Sequence, residues 1–190
     1  MNYYNKRFVL TIIAIIVLMI TNVIALPADT GSRTPPPAQE LLDQAIKSAK
    51  AENKAIFVHF GASWCGFCKR LDAFLQAPQV GKMMTDNYVL VSLVVKESRE
   101  KKALENPGAM ELMKKMGGVD IGLPFFFFMD QEGKKLADSL ALPNRENIGY
   151  PSSKAEIKAF DKLLEQTAPR MTSADRAAIA DYLAKNASHR

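Results

Sequence analysis

The sequence is poor in the residue types that hold metals and cross-link chains. Its 190 residues include only two cysteines, two histidines and one tryptophan. A complete zinc site takes four good ligands, and besides the two cysteines only His59 and His189 are available. Every cysteine and histidine of the chain would have to take part, so such a site within this chain is disfavoured. No cysteine stands directly after the apolar N-terminal run, which excludes an anchor through a lipid-modified cysteine at that place.

The excess of one charge sign over the other is also small. The chain has 25 basic and 20 acidic residues, a formal net charge of +5, and no dense basic cluster. This balance does not suggest nucleic acid as a partner. Without residues 1–25 the chain keeps 23 basic and 20 acidic residues, a net charge of +3 over 165 residues. That length is enough for one domain with its own core.

The first 25 residues differ in kind from the rest. A basic pair, Lys6 and Arg7, precedes the apolar stretch 8–20, and the residues at 23–25 suit cleavage by signal peptidase. The pattern predicts a secretory signal peptide and hence a periplasmic or extracellular protein. An uncleaved N-terminal anchor is the alternative, because the longer stretch from Phe8 to Leu26 is nearly long enough to span a bilayer. Residues 26–37, rich in proline, are expected to form an extended lead-in.

The two cysteines stand three positions apart in the sequence Trp64-Cys65-Gly66-Phe67-Cys68-Lys69, directly after an apolar run typical of a buried strand. Two thiols at this spacing at the start of a helix lie on one turn, close enough to form a disulfide. Cys65 is nearest the helix N-terminus, where unpaired N–H groups and the helix dipole favour a thiolate, and Lys69 and Arg70 add positive charge. The pattern therefore predicts a redox pair in which Cys65 attacks and Cys68 resolves the mixed disulfide.

Other roles for the cysteines remain open at this stage. A purely structural disulfide closing so short a loop would stabilise the fold by only about 2 kcal/mol. A Cu(I)-binding module that delivers metal is a second alternative, and a redox-inactive interaction protein is a third. Met110, Met113 and Met116 are soft ligands, but their spacing of three is what a core-facing helical stripe requires. We interpret them as core residues.

The sequence around the cysteines resembles a known family. The segment from Ala55 to Lys69 is similar to the strand and active-site turn of thioredoxin-like proteins, and Gly122-Leu123-Pro124 before an apolar strand is similar to their cis-proline segment. The resemblance implies that Pro124 packs beside the cysteines and that the Leu123 backbone offers hydrogen bonds to an extended substrate segment. It also implies that Trp64 contributes to an apolar docking surface.

His59 departs from the pattern of that family. Thioredoxins commonly have a buried Asp six positions before the first cysteine, which relays protons to the resolving cysteine. A histidine could serve as the same proton relay, since its neutral form accepts a proton, while its cation would favour a thiolate. The alternative is a core histidine bonded to a backbone carbonyl.

The resemblance implies an α/β fold of the thioredoxin-like type. We expect three α/β/α layers around a central mixed sheet of four or five strands, with a domain at 38–168 and a C-terminal helical extension at 169–190 that adds a helix. The polar, turn-rich stretch 143–153 is interpreted as a connector rather than as part of a substrate groove. Apolar runs and periodicity predict strands at 55–61, 88–95, 124–129 and 134–140, and helices at 38–52, after Cys65, at 79–86, 107–116 and 154–166, and from Thr172 onward.

Together these observations predict an exported thiol-disulfide oxidoreductase. We expect a reductant, because Gly66-Phe67 lacks the histidine that stabilises the thiolate in strongly oxidising relatives. The dithiol and disulfide forms of Cys65 and Cys68 complete the catalytic cycle, so no metal or organic cofactor is expected. The expected partners are client proteins with disulfides or thiols and a membrane-bound electron donor or acceptor, and the protein is expected to be a monomer.

Overall fold

The structure, a computed structural model, describes residues 34–187. The predicted signal peptide or anchor at 1–25, most of the predicted lead-in, and His189 lie outside the described residues. Within 34–187, no helix combines the length and the apolar character needed to cross a bilayer.

A four-stranded mixed sheet forms the middle layer. Its strands are β1 (Ala55–Gly61), β2 (Tyr88–Val94), β3 (Phe125–Met129) and β4 (Lys135–Asp138), in the order β2-β1-β3-β4. β1 runs parallel to β2 and antiparallel to β3, and β4 pairs antiparallel with β3. The two central strands, β1 and β3, are buried at nearly every position, as expected for strands covered on both faces. The predicted mixed sheet is confirmed.

Within residues 34–187, six helices cover the two faces of the sheet. They are α1 (Ala38–Glu52), α2 (Gly66–Gln76), α3 (Val80–Asn87), α4 (Ala109–Lys115), α5 (Lys154–Thr167) and α6 (Ser173–Lys185), with short 3-10 turns at Arg99–Leu104 and Pro143–Arg145. Helices α1 and α4 share one apolar cluster with the sheet, and α2, α3, α5 and α6 share the other. The predicted three-layer α/β/α architecture is therefore confirmed.

The phenylalanines of β3 supply both apolar clusters. Because side chains alternate along a strand, Phe126 and Phe128 face one layer and Phe125 and Phe127 face the other. The ring of Phe57 on β1 lies 5.1 Å from the rings of both Phe126 and Phe128. Fully burying one such side chain stabilises the fold by about 1.5–3 kcal/mol. Because β3 is anchored in both clusters, it holds Pro124, the residue directly before it, at one end of the sheet.

The C-terminal helix α6 belongs to the same core. Its Ile179 and Leu183 are buried in the cluster formed by α2, α3 and α5. Arg176 of α6 pairs with Asp161 and Glu165 of α5, at 3.1 and 2.9 Å. The predicted additional helix is present and covers the layer that contains α2.

Candidate active site

The cysteine turn, residues 62–65, connects β1 to α2. Cys65 is the N-cap of α2, and Cys68, in the first turn of the helix, is joined to it by a disulfide. The backbone N–H of Cys68 donates a hydrogen bond to Cys65 Sγ over 3.1 Å. Both cysteines are buried, at 5% and 3% exposure. A helix N-terminus with a donor aimed at Cys65 stabilises a thiolate at that sulfur.

The strand before the turn allows the sulfurs to lie close to the sheet. A side chain at Gly61, the last residue of β1, would bring its Cβ to 3.3 Å from Cys68 Cβ and 3.5 Å from Cys68 Sγ. The first of these contacts is closer than most real Cβ contacts. The glycine therefore lets α2 start directly against the end of the central strand.

Trp64 lies at the surface beside the cysteines. Its side chain is 59% exposed, and its indole Nε1 donates to the carbonyl oxygen of Lys96 over 2.8 Å. Phe67, on the first turn of α2, is 37% exposed. Exposed aromatic rings next to a reactive sulfur provide apolar area for a docking polypeptide.

The proline segment, residues 119–124, leads into β3 on the other side of the cysteines. Its Leu123–Pro124 peptide bond is cis. Leu123 packs against the small cluster of Ala62, Cys65 and Cys68, and Pro124 is buried directly before β3. The structure thus brings together Cys65, Cys68 and Leu123, with Trp64 adjacent in the chain.

Two side chains from distant loops bind the proline segment. Asn147 Nδ2 donates to the carbonyl oxygens of Gly122 and Pro124, at 2.9 and 3.0 Å. Lys96 Nζ donates to the carbonyl oxygens of Val119 and Ile121, at 3.3 and 2.9 Å. Neither residue was among the predicted site residues, and the 143–153 stretch interpreted as a connector contributes one of them. No local sequence pattern marks either contact.

A buried acidic residue supports the cysteine turn. The carboxyl group of Glu97, 8% exposed, accepts hydrogen bonds from the backbone N–H of Ser63 and from Ser63 Oγ, the latter at 2.9 Å. Lys101 Nζ lies 3.3 Å from the same hydroxyl. Glu97 stands in the charged stretch that follows β2, where no local sequence pattern marks it as part of the site.

His59 lies inside the domain, on the face of β1 that packs against α2. It is 4% exposed, and its ring centroid lies 5.9 Å from that of Phe57. Its Nδ1 has no hydrogen-bond partner among the described residues and lies 4.0 Å from Oδ1 of Asp72 on α2. Burial lowers the pKa of His59 to about 4 and raises the pKa of the Asp72 carboxyl. At 4.0 Å the attraction to Asp72 does not offset desolvation, so the imidazole is neutral near pH 7.

Positive charge lies near the start of α2, as predicted. Lys69 is exposed, and the guanidinium carbon of Arg70 lies 5.9 Å from the ring centroids of both Phe67 and Tyr150. Burial raises the pKa of Tyr150, while the charge of Arg70 opposes that shift. Among the described residues Arg70 forms no ion pair, and the two aromatic rings stabilise its charge on the first turns of α2.

The methionines of α4 are core residues, as predicted. Met113 is fully buried, and Met110 and Met116 pack against the same cluster. Across residues 34–187, no group of three or more histidine, cysteine, aspartate or glutamate side chains is arranged to hold a metal ion.

The chain is similar to several proteins of known structure and to one known family. The chain is similar to three solved structures: a disulphide isomerase from Xylella fastidiosa Temecula1 (18% identity, 85% of this chain and 97% of that chain, TM-score 0.47), the oxidised C-terminal domain of DsbD from Neisseria meningitidis (20%, 56% and 84%, 0.40) and thioredoxin NaTrxh from Nicotiana alata (20%, 72% and 99%, 0.39). Among curated proteins there is no significant match. The family model of the thioredoxin-like domain matches residues 42–143, which is more than half of the chain. The chain belongs to the thioredoxin-like family.

Proposed function

We propose that this protein is an exported thiol-disulfide oxidoreductase that reduces disulfides in client proteins. The observation that carries the proposal is the position of Cys65, which caps α2 with the Cys68 N–H donating to its sulfur and Leu123 packed beside it. A thiolate at a helix N-terminus is a good nucleophile near neutral pH. The disulfide to Cys68 is the oxidised half of the cycle.

In the reduced state, the Cys65 thiolate attacks one sulfur of a client disulfide. A bond forms between Cys65 Sγ and that sulfur, while the client disulfide breaks and its other sulfur leaves as a thiolate that takes a proton from water. Cys68, as a thiolate, then attacks Cys65 Sγ and releases the second client thiolate. The client gains two electrons and two protons, and the domain ends with the Cys65–Cys68 disulfide.

Docking of the client is assigned to Trp64, Leu123 and Pro124. Trp64 offers an exposed ring on one side of the cysteines, and Leu123 offers its side chain and backbone on the other. Pro124 is buried, so its role is to shape the Leu123 backbone rather than to supply contact area. An extended client segment that pairs with a backbone edge needs an N–H and a C=O that are not already used.

The proposed direction of electron flow rests on the charge near the sulfurs. A cationic histidine beside the pair would stabilise the thiolate form and make the protein an oxidant. His59 is the nearest candidate by sequence, but burial keeps it neutral near pH 7 because its pKa is lowered to about 4. With no histidine in Gly66-Phe67 either, the reduced form lacks that stabilisation. This favours a reductant. Neutral His59, beside Asp72, remains the proposed relay that accepts the proton of Cys68 during resolution.

Export is proposed from the sequence at residues 1–25, cleaved or retained as an anchor. In an oxidising compartment the oxidised domain has to be reduced again by an external dithiol. We propose a membrane-bound dithiol protein as that donor, clients with disulfides as acceptors, and a monomeric working form with no nucleic-acid partner.

Turnover of a protein disulfide tests the proposal. The wild type with excess dithiothreitol is expected to reduce insulin, and Cys65→Ser is expected to lose this activity. Cys68→Ser, reduced and then freed of dithiothreitol before insulin is added, is expected to accumulate a mixed disulfide with the client that is visible on a gel without reducing agent. Equal loss in both variants with no trapped species would contradict the assigned roles. Inactivity of the folded wild type would contradict the function.

The reduction potential tests the direction. Equilibration against glutathione is expected to give a value towards that of thioredoxin, about −270 mV, rather than the oxidising end near −120 mV. A value at the oxidising end would make the protein a disulfide donor. Failure of the cysteines to form a disulfide, combined with stoichiometric Cu(I) binding, would favour the metal-delivery alternative.

A further inference from the structure

The proline segment has few hydrogen bonds of its own. Within residues 34–187, its backbone N–H groups contribute a single bond to the backbone, from Ile121 to the carbonyl of Gly118 at 3.3 Å. The segment lies outside the strands and helices, and Gly122 is exposed. Its shape therefore depends on groups that reach it from elsewhere.

Asn147 is one of these groups, and its geometry is specific. One amide nitrogen donates to the carbonyl oxygens on both sides of Leu123, those of Gly122 and Pro124. The amide oxygen of the same side chain accepts from the backbone N–H of Gly149 at 3.2 Å. Gly149 has φ +50°, which suits glycine, and a Cβ there would lie 3.5 Å from the Pro124 carbonyl oxygen. The loop around Asn147 is therefore folded against the proline segment.

Lys96 holds the same segment through two other carbonyl groups. Its ammonium group binds the carbonyl oxygens of Val119 and Ile121, while its own carbonyl accepts from the Trp64 indole. Together, Lys96 and Asn147 use four carbonyl groups of the segment. Among the described residues, the backbone N–H and C=O of Leu123 make no hydrogen bond.

We propose that Asn147 is a positioning residue for client binding, which orients the Leu123 peptide by holding the carbonyls before and after it. The inference rests on the proposed function, since it concerns the same site. Asn147 touches neither sulfur, so it acts on docking of the polypeptide and not on the thiol chemistry. The ligand is an extended polypeptide whose backbone donates to and accepts from Leu123.

The chemistry requires an amide at position 147. Two carbonyl oxygens face the side-chain nitrogen, and an N–H donor satisfies both. Asn147→Asp has nearly the same shape but places a carboxylate against those oxygens, so it repels the segment instead of binding it. Asn147→Ala removes the donor without adding charge.

The experiment compares steady-state insulin reduction, driven by dithiothreitol, in the wild type, Asn147→Asp and Asn147→Ala. The matched control is Asn144→Asp, the same change in the same loop at an exposed residue whose side chain makes no hydrogen bond among the described residues. For Asn147→Asp we expect KM for insulin to rise roughly tenfold, equivalent to losing one or two hydrogen bonds to the client. We expect kcat to stay within about twofold, because docking and chemistry are separate here.

Two further readouts separate positioning from stability. The rate at which iodoacetamide alkylates reduced Cys65 and the reduction potential are expected to match the wild type in every Asn147 variant. A merely structural role would instead lower kcat, alkylation and folded fraction together, and that result would overturn the proposal. An unchanged KM in a folded Asn147→Asp or Asn147→Ala protein would overturn it as well.

The outcome is distinguishable from failure of the proposed function. If the wild type reduces no protein disulfide, the function itself is wrong. If the wild type is active and the Asn147 variants keep its KM, only the positioning role is wrong. Should Asn147→Asp fail to fold, the uncharged Asn147→Ala decides the question.

Discussion

The cysteine turn and the proline segment meet at one end of the sheet, yet they are held in different ways. The two sulfurs are positioned by their neighbours in the chain: the N–H of Cys65 bonds to the carbonyl of Ala62 at 3.0 Å, and α2 begins directly after it. Glu97 adds a contact from a distant loop, but to Ser63 and not to the cysteines. The proline segment, in contrast, is held by side chains more than twenty residues away, Lys96 and Asn147. The reactive sulfurs thus depend mainly on local structure, and the docking backbone on tertiary contacts.

Because of this difference, substitutions in the two regions should have different effects. Damage to the cysteine turn should change stability and thiol chemistry, whereas damage around the proline segment should change client affinity first. Four substitutions test the contrast, in order of decreasing effect on the free energy of unfolding.

The largest effect concerns His59, beneath the cysteine turn. Burial lowers its pKa from 6.5 to about 4. Between these values the unfolded chain binds a proton that the folded domain does not, so the free energy of unfolding should fall as pH decreases from 6.5 towards 4. The loss attributable to His59 is about 3 kcal/mol. Urea unfolding of the oxidised protein at pH 8 and at pH 4 measures it, and His59→Leu should remove it.

Asp72→Asn is the control for that measurement. The pKa of Asp72 is raised by burial, which favours the folded state at low pH and so has the opposite sign. The decrease in stability should therefore persist in Asp72→Asn. If His59→Leu shows the same decrease as the wild type, another group is responsible.

The second test removes the acidic residue behind the cysteine turn. Glu97→Ala leaves the Ser63 N–H without its buried partner, and we expect a loss of about 2–3 kcal/mol in the free energy of unfolding. Glu111→Ala, at an exposed position with no side-chain bond among the described residues, is the matched control. Equal denaturation midpoints for the two variants would show that Glu97 does not support the turn.

The third test adds one methyl group at the entrance to the proline segment. A Cβ on Gly118 would lie 2.6 Å from Cδ1 of Phe125, which is buried in β3. Gly118→Ala is expected to lower the free energy of unfolding by about 2 kcal/mol through overpacking. Gly122→Ala, where a Cβ meets nothing within 4 Å, should be close to neutral. Similar losses in thermal unfolding for both variants would contradict this packing.

The smallest effect on stability is expected at Lys96. Lys96→Met keeps the apolar stem but removes the donor to Val119 and Ile121, at a cost of about 1 kcal/mol or less. If the contrast between the two regions holds, KM for insulin should rise more clearly than stability falls. Lys114→Met, at an exposed lysine of α4, is the control. A loss of stability with unchanged KM would place Lys96 with the structural residues.

Most of the fold could be predicted because its signals are local. The run of phenylalanines at 125–128 identified the central strand, and Ser153 and Thr172 marked two helix starts where capping boxes are found. The cysteine pair was equally visible, since spacing and a helix start are properties of a short stretch of chain.

The supporting residues of the site could not be predicted in the same way. Asn147 and Glu97 act through two hydrogen bonds each, to groups 23 to 34 residues away, and such contacts leave no periodic pattern in a sequence. Asn147 looked like an ordinary turn residue. The charge state of His59 also depended on burial by residues from other elements, which the sequence alone does not measure.

The position of Trp64 gives the protein its own optical reporter. It is the single tryptophan of the chain, adjacent to Cys65, and its indole is bound to the loop that also holds the proline segment. Disulfides quench the fluorescence of a neighbouring indole, so emission at one wavelength should rise when the pair is reduced. Redox titrations, and the arrival of a client over the indole, can therefore be followed in real time without a label.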